Sequence, residues 1–284
     1  MLHDDNQETL KAREDELQQR YDAASKAGLS LDMTRGKPAP EQLDLADPLL
    51  GLPGAGRFRD EDNTDCRNYG GIDGLPAMKQ LFADILGCRR EDVIVGGNSS
   101  LAMMHDAIVR AVLFGAPGGD KPWGQQGTIR FVCPAPGYDR HFEITGHLGF
   151  ELVNVEMADD GPDMDHVEAL AADPSVKGIW CVPRYSNPTG ITYSENVTQR
   201  FAAMKAAPDF RILWDNAYAE HHFGDERQPV PDILTACRDA GNPDRVLMFA
   251  STSKMTVAGA GVSAMAASPA NIEDARRHLL IQTT

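Results

Sequence analysis

The chain has 284 residues, enough for one large domain or two smaller ones with a sizeable core. Hydrophobic residues make up 42% and charged residues 24%, which is the balance of an ordinary globular protein. The formal net charge of -15 disfavours nucleic acid and anionic membranes as partners. No apolar run approaches membrane-spanning length, and the polar, acidic N-terminus argues against a signal peptide.

The cysteines are scattered and odd in number, and none forms a Cys-x-x-Cys pair: Cys66, Cys88, Cys133, Cys181 and Cys237. A complete disulfide framework is therefore disfavoured, and we expect a reducing, cytoplasmic location. No metal site is predicted from the sequence.

The first third of the chain begins with a predicted amphipathic helix over residues 6–27, which ends at Gly28. Residues 29–62 are rich in glycine and proline and are predicted to be extended. This segment either lines a cleft or serves as a plain connector. A further helix is predicted within residues 71–86, where apolar side chains share one face.

A short strand is predicted over residues 93–95, followed by a small polar turn and a helix over residues 101–114. The turn contains Gly97, Asn98 and Ser99. This arrangement suits phosphate binding, because free backbone N–H groups and the helix dipole both favour an anion. The same pattern also begins many ordinary helices, with asparagine or serine as the N-cap. The sequence leaves both interpretations open.

Apolar strands and helices alternate through the rest of the chain. Strands are predicted at residues 128–133, 151–155, 178–182, 211–214 and 246–250, and helices at residues 138–148, 163–172, 196–207 and 271–281. This alternation predicts an α/β fold with a mainly parallel sheet covered by helices. Ligands of such sheets sit beyond the carboxyl ends of the strands. Polar residues follow the predicted strands at that edge: Asn98, Tyr138, Asn187, Asp215 and Lys254.

The predicted strand over residues 246–250 leads into Ser251, Thr252, Ser253 and Lys254. An ammonium group at the end of a buried strand is poorly hydrated, which favours the neutral, nucleophilic amine. Lysines of this kind form Schiff bases with carbonyl substrates and with pyridoxal phosphate, and the hydroxyls before the lysine could hold a phosphate. The alternative is a lysine at a strand end that reaches solvent.

Three other strand ends carry candidate site residues. A carboxylate such as Asp215 is costly at a buried strand end unless it meets a cation, a metal or a protonated pyridine nitrogen. A helix N-cap or a structural ion pair is the alternative. Asn187 offers an amide donor in a tight Asn-Pro-Thr-Gly turn. The alternative is that these residues only form a turn between two elements. Tyr138 either covers a flat ring or only packs.

Taken in order, the stretches TRGKP, NYGGIDG, VPRYSNPTG and STSK resemble fold-type I pyridoxal-phosphate enzymes, the class I/II aminotransferases. The exact sequences of these motifs resemble those of the bacterial subgroup Ic aspartate aminotransferases, and the resemblance extends over about residues 30–267. The resemblance implies a homodimer that transfers an amino group from an amino acid, L-aspartate, to a 2-oxo acid, 2-oxoglutarate. It further implies a cofactor-binding large domain over residues 51–284, preceded by an arm and part of a small domain over residues 1–50.

The resemblance assigns catalytic roles to three residues. Lys254 would carry pyridoxal 5′-phosphate as an internal aldimine and would move the proton during catalysis. Asp215 would bind the pyridine nitrogen. Tyr218, with Asn187, would bond the ring hydroxyl.

The resemblance also assigns binding roles. The residues implied for the phosphate are Gly97, Asn98, Ser99, Ser251 and Ser253. Tyr138 would stack on the ring, and Tyr69 would reach the phosphate held by a partner subunit. Gly36, Asn187 and Arg35 are the residues implied for the substrate.

The sequence departs from the family pattern in two places. The family usually has a phosphate-binding arginine shortly after the lysine, but residues 258–262 contain none. Backbone N–H groups with Ser253 and Ser263 are expected to compensate. The family chain also continues into a small C-terminal domain with a substrate-binding arginine. Since this sequence ends at Thr284, that domain is expected to be mostly missing, and neither Arg276 nor Arg277 replaces the arginine.

Three alternative functions remain open at this point. The same cofactor residues serve other fold-type I chemistries, such as β-lyases and decarboxylases. The fold also occurs as the effector-sensing domain of transcription regulators. Too few residues precede Gly36 for a DNA-binding helix-turn-helix, which argues against that reading. The third alternative is a fragment that binds the cofactor without turnover.

Overall fold

The computed structural model describes residues 6–30, 36–224 and 231–283. The chain divides into two compact units, residues 1–38 and residues 39–284. In the first unit, helix α1 spans Gln7–Lys26 and begins where the Asn6 side chain accepts a hydrogen bond from the Thr9 amide at 2.9 Å. The predicted N-terminal helix is therefore confirmed. The predicted domain boundary at residue 50 stays a prediction.

The second unit contains the sheet and the remaining described helices. Its strands are β1 (Val93–Val95), β2 (Arg130–Ala135), β3 (Glu151–Ala158), β4 (Gly161–Pro162), β5 (Val176–Cys181), β6 (Arg211–Asp215), β7 (Val246–Ser251) and β8 (Ser263–Ala267). Its α-helices are α2 (Pro40–Asp44), α3 (Pro76–Leu86), α4 (Ser100–Phe114), α5 (Asp139–His147), α6 (Met164–Ala171), α7 (Glu195–Ala203), α8 (Ile233–Asp239) and α9 (Pro269–Gln282).

The strands form one mixed sheet in the order β1-β8-β7-β6-β5-β2-β3-β4. The five strands from β7 to β3 are parallel, whereas β8 is antiparallel to both of its neighbours. Strand β1 consequently runs in the same direction as β7. The carboxyl ends of β1, β2, β5, β6 and β7 therefore meet at one edge of the sheet. This architecture confirms the predicted α/β class with a mainly parallel sheet.

Two apolar layers cover the sheet, because successive side chains of a strand point to opposite faces. In β6, Ile212 and Trp214 pack with helices α3, α6, α7 and α8, while Leu213 packs with α4, α5 and α9 on the other face. Both faces of the central strands are thus buried, which explains why their residues are mainly apolar. None of the described helices combines the length and apolarity that crossing a bilayer requires.

Strand β8 was not predicted from the sequence. Its residues are serine, alanine and methionine, and alanine is depleted in strands. They form a strand because β7 and β1 pair with them on both sides. The prediction of an extended segment over residues 29–62 was also wrong in part, because helix α2 and a 3-10 helix at Asp47–Gly51 lie within it.

A buried ion pair lies at the amino edge of the sheet, opposite the edge at which the carboxyl ends of the parallel strands meet. Lys177 Nζ is 2.8 Å from Asp209 Oδ1, and the two side chains are 3% and 4% exposed. The amide of Gln126 donates a further hydrogen bond to Asp209 at 3.0 Å. Each charge depends on the other, because removing one leaves its partner buried without compensation.

Replacing Lys177 with methionine is therefore expected to lower the free energy of unfolding by about 3–5 kcal/mol. Urea denaturation would measure the change. The matched control is Lys177→Met combined with Asp209→Leu, which removes both charges and should recover most of the loss. A loss below about 1 kcal/mol in the single variant would contradict this account of the pair.

Candidate active site

Asp215 and Lys254 lie at the carboxyl edge of neighbouring parallel strands. Asp215 is the last residue of β6 and is in register with Phe249 of β7. Lys254 lies in the turn that follows β7, three residues beyond Ser251. Lys254 is half-buried, and its Nζ atom is 5.3 Å from the centroid of the Tyr218 ring. An amine and a carboxylate are thus brought to the same edge of the sheet.

Asp215 is 4% exposed, and the two oxygens of its carboxylate have different hydrogen-bonding surroundings. Oδ2 accepts a hydrogen bond from Nε2 of His141 at 3.0 Å. His141 is 1% exposed and is stacked on Trp180, with ring centroids 4.6 Å apart. Oδ1 is buried and has no hydrogen-bond partner in the described parts of the chain. A buried acceptor left in this state is costly, and an N–H donor of a ligand would satisfy it.

Tyr218 and Asn187 come from different strand ends, and the Asn187 side chain lies near enough to Tyr218 to affect its pKa. Burial, reinforced by the negative charge of Asp215, raises the pKa of Tyr218, although the polar side chain of Asn187 opposes this shift. The phenol therefore stays protonated at neutral pH and can donate a hydrogen bond. Tyr138 precedes α5, and its ring meets His141 edge-on at 5.0 Å between centroids.

The polar turn before α4 is fixed in position by hydrogen bonds from two serines to its backbone carbonyl groups. Gly97 O accepts hydrogen bonds from the Ser263 amide at 2.7 Å and from Ser263 Oγ at 2.8 Å. Asn98 O accepts one from Ser253 Oγ at 3.1 Å. In a trans peptide the N–H points opposite to the C=O, so the amides of Asn98 and Ser99 face away from these serines. Those N–H groups, at the start of α4, form a place for an anion.

This geometry changes the expectation for Ser263. The sequence predicted that its hydroxyl would help bind a phosphate. Ser263 is instead 0% exposed, and its Oγ is bonded to the Gly97 carbonyl. It therefore holds the turn in place from below. Ser99 has a similar local task, because its Oγ caps α4 by accepting from the Ala102 amide at 3.2 Å.

A family model described as aspartate amino-transferase matches residues 6–284. The chain belongs to this family. It is 50% identical to the aspartate aminotransferase of Corynebacterium glutamicum over 263 residues. The aligned region covers 92% of this chain and 61% of that protein. The recognition of an aminotransferase from its sequence motifs is therefore confirmed.

Solved structures of aminotransferases share the fold. The crystal structure of an aspartate transaminase from C. glutamicum has a TM-score of 0.91 and 48% identity, over 99% of this chain and 66% of that one. A second structure is that of an α-aminoadipate aminotransferase from Thermus thermophilus, complexed with N-(5′-phosphopyridoxyl)-L-leucine. It has a TM-score of 0.63 and 22% identity, and the match covers 87% of this chain and 59% of that one. The chain thus spans slightly less than two thirds of the length of these relatives.

Most of the predicted site residues meet at the carboxyl edge. They fall into one group around the carboxylate and amine and another around the polar turn: Tyr138, Asn187, Asp215, Tyr218 and Lys254, then Gly97, Asn98, Ser99 and Ser253. Ser251 ends β7 and is buried beside Ser263. Their roles stay predictions.

The other predicted residues are not brought to this site by the described contacts. Tyr69 is 81% exposed. Gly36 belongs to the N-terminal unit. Arg35 lies outside the described residues. Sequence reasoning also missed His141, although a histidine three residues after Tyr138, on the buried face of a helix, was a usable signal.

Proposed function

We propose that this protein is a pyridoxal-phosphate-dependent aminotransferase that acts on L-aspartate and 2-oxoglutarate. The observation that carries the proposal is that a buried carboxylate oxygen of Asp215, which has no hydrogen-bond partner among the described residues, lies at the same sheet edge as the Lys254 amine. The family match and the name of the C. glutamicum relative support the reaction and the substrate.

The residues present fit the cofactor in its three polar parts. Asp215 Oδ1 has no hydrogen-bond partner among the described residues and would accept from a protonated ring nitrogen, which the carboxylate would keep protonated. Tyr218 and Asn187 would hold the ring hydroxyl, and Tyr138 would cover the ring. The turn amides of Asn98 and Ser99, with Gly97 and Ser251, would hold the phosphate. Ser253 would support the turn from its carbonyl side, through the bond to the Asn98 carbonyl.

When bound, the cofactor supplies an aldehyde for covalent attachment and an electron-poor ring that stabilises negative charge. The chain supplies the proton transfer. Lys254 Nζ would attach to the aldehyde of the cofactor and, as a free amine, would take the proton from the substrate α-carbon. His141 keeps the Asp215 carboxylate oriented through its bond to Oδ2. Gly36, Asn187 and Arg35 are proposed to bind the substrate.

We further propose a cytoplasmic homodimer. The exposed Tyr69 side chain is available to reach a partner subunit's phosphate. All five cysteines are free, and burial raises the pKa of Cys133 to about 12, so that its thiol stays protonated. These thiols suit a reducing compartment. The net charge of -15 disfavours nucleic acid and an anionic membrane as partners.

Spectroscopy combined with substrate trials tests the proposal. The protein mixed with pyridoxal phosphate should develop a visible absorbance band. It should then convert L-aspartate and 2-oxoglutarate to oxaloacetate and glutamate. Release of carbon dioxide or of an eliminated group from aspartate would instead indicate a decarboxylase or a lyase. A band without turnover on any amino acid would indicate a cofactor-binding protein that lacks catalysis.

A further inference from the structure

His221 forms a hydrogen bond with the backbone of the proposed catalytic lysine. Its Nε2 atom lies 3.0 Å from the carbonyl oxygen of Lys254. A carbonyl oxygen only accepts hydrogen bonds, so Nε2 carries the proton. The other ring nitrogen, Nδ1, is buried and has no hydrogen-bond partner among the residues that the structure describes. A ring that carries its proton on Nε2 and none on Nδ1 leaves no buried donor unsatisfied.

The same imidazole ring contacts Tyr218. The two rings meet edge-on at 90°, with centroids 5.7 Å apart, and the Tyr218 ring in turn faces Lys254 Nζ at 5.3 Å. The His221 amide also donates to the Tyr218 carbonyl at 3.1 Å, which closes a turn between them. One side chain therefore touches both the lysine main chain and the phenol that faces its amine.

The loop that carries His221 is itself fastened to the loop that carries Asn187. Arg184 donates a hydrogen bond to the Ala219 carbonyl. The Tyr185 hydroxyl lies 3.0 Å from Nδ1 of His222. Since both ends of this connection are held, His221 has a defined position from which to hold the turn after β7.

We propose that His221 is a positioning residue that fixes the main chain of Lys254 and so keeps its amine against Tyr218. The inference rests on the proposed function, since it concerns the amine that would attach to pyridoxal phosphate. A lysine side chain has four rotatable bonds, so that a loosened main chain spreads the amine over many positions. His221 touches neither substrate nor cofactor in this role.

The test compares an aldehyde ligand with one that cannot bond to lysine. Dissociation constants are measured for pyridoxal 5′-phosphate and for 4′-deoxypyridoxine 5′-phosphate, which carries a methyl group in place of the aldehyde. His221→Leu should weaken binding of the aldehyde about five-fold, the equivalent of about 1 kcal/mol for one hydrogen bond, and leave the analogue within about two-fold. His221→Gln retains a donor and should restore most of the loss. His147→Leu, at an exposed histidine, is the matched control.

Equal weakening of both ligands would overturn the inference, because it would indicate a general loss of structure. If the wild type shows the visible band and His221→Leu binds both ligands as tightly as the wild type does, the inference about His221 would be overturned and the proposed function would stand. A wild type without a band that binds both ligands equally would overturn the proposed function as well. In the cofactor-free protein, ¹⁵N NMR should find His221 protonated on Nε2, and a proton on Nδ1 alone would contradict the proposed bond.

Discussion

Lys254→Ala is expected to abolish the visible absorbance of bound pyridoxal phosphate and to reduce transamination by at least about 10²–10⁴-fold. In the proposed function the amine attaches to the aldehyde and acts as the base that moves the α-proton, so that alanine would remove both functions. Absorbance spectra and steady-state rates with L-aspartate and 2-oxoglutarate measure the two losses. The free energy of unfolding should change little, since the side chain is only half-buried.

The matched control for this prediction is Lys205→Ala, which removes an exposed lysine beyond the end of α7. That variant should keep both the band and the rate. A band that survives in Lys254→Ala would mean that another lysine holds the cofactor, and the assignment of Lys254 would then be wrong.

Asp215→Asn is expected to lower transamination by about 10²–10⁴-fold while leaving the fold nearly unchanged. Asparagine has almost the same volume, and its amide oxygen can still accept the hydrogen bond from His141 Nε2. Asparagine lacks the negative charge that, in the proposed function, keeps the ring nitrogen of the cofactor protonated, and so it would weaken the ring's capacity to stabilise negative charge. Rates measured with saturating cofactor separate this effect from weaker binding.

Asp209→Asn is an informative comparison, because Asp209 is also buried and lies just before the same strand. Its partner is Lys177, at the amino edge of the sheet. This variant should lose stability in urea denaturation but keep its rate per folded molecule. If Asp215→Asn instead lost stability and kept its rate, Asp215 would be a structural residue like Asp209.

The main features of the fold followed from local patterns in the sequence. Both faces of the central parallel strands are buried, so that their residues are mainly apolar, as in the run from Ile212 to Trp214. The helices between them carry an apolar stripe. Strand β8 escaped prediction because its small residues have little strand propensity and are held by two neighbouring strands.

The sequence by itself determined the class of fold, the family and the chemical identity of the groups that follow the strands. A lysine, a carboxylate or a glycine-rich turn can be recognised from residues close together in the chain. Only the tertiary structure decided which groups touch. His141 meets Asp215 across 74 positions, and His221 meets Lys254 across 33. Such contacts depend on strand order and on how each helix packs on the sheet, and no short stretch of sequence encodes that arrangement.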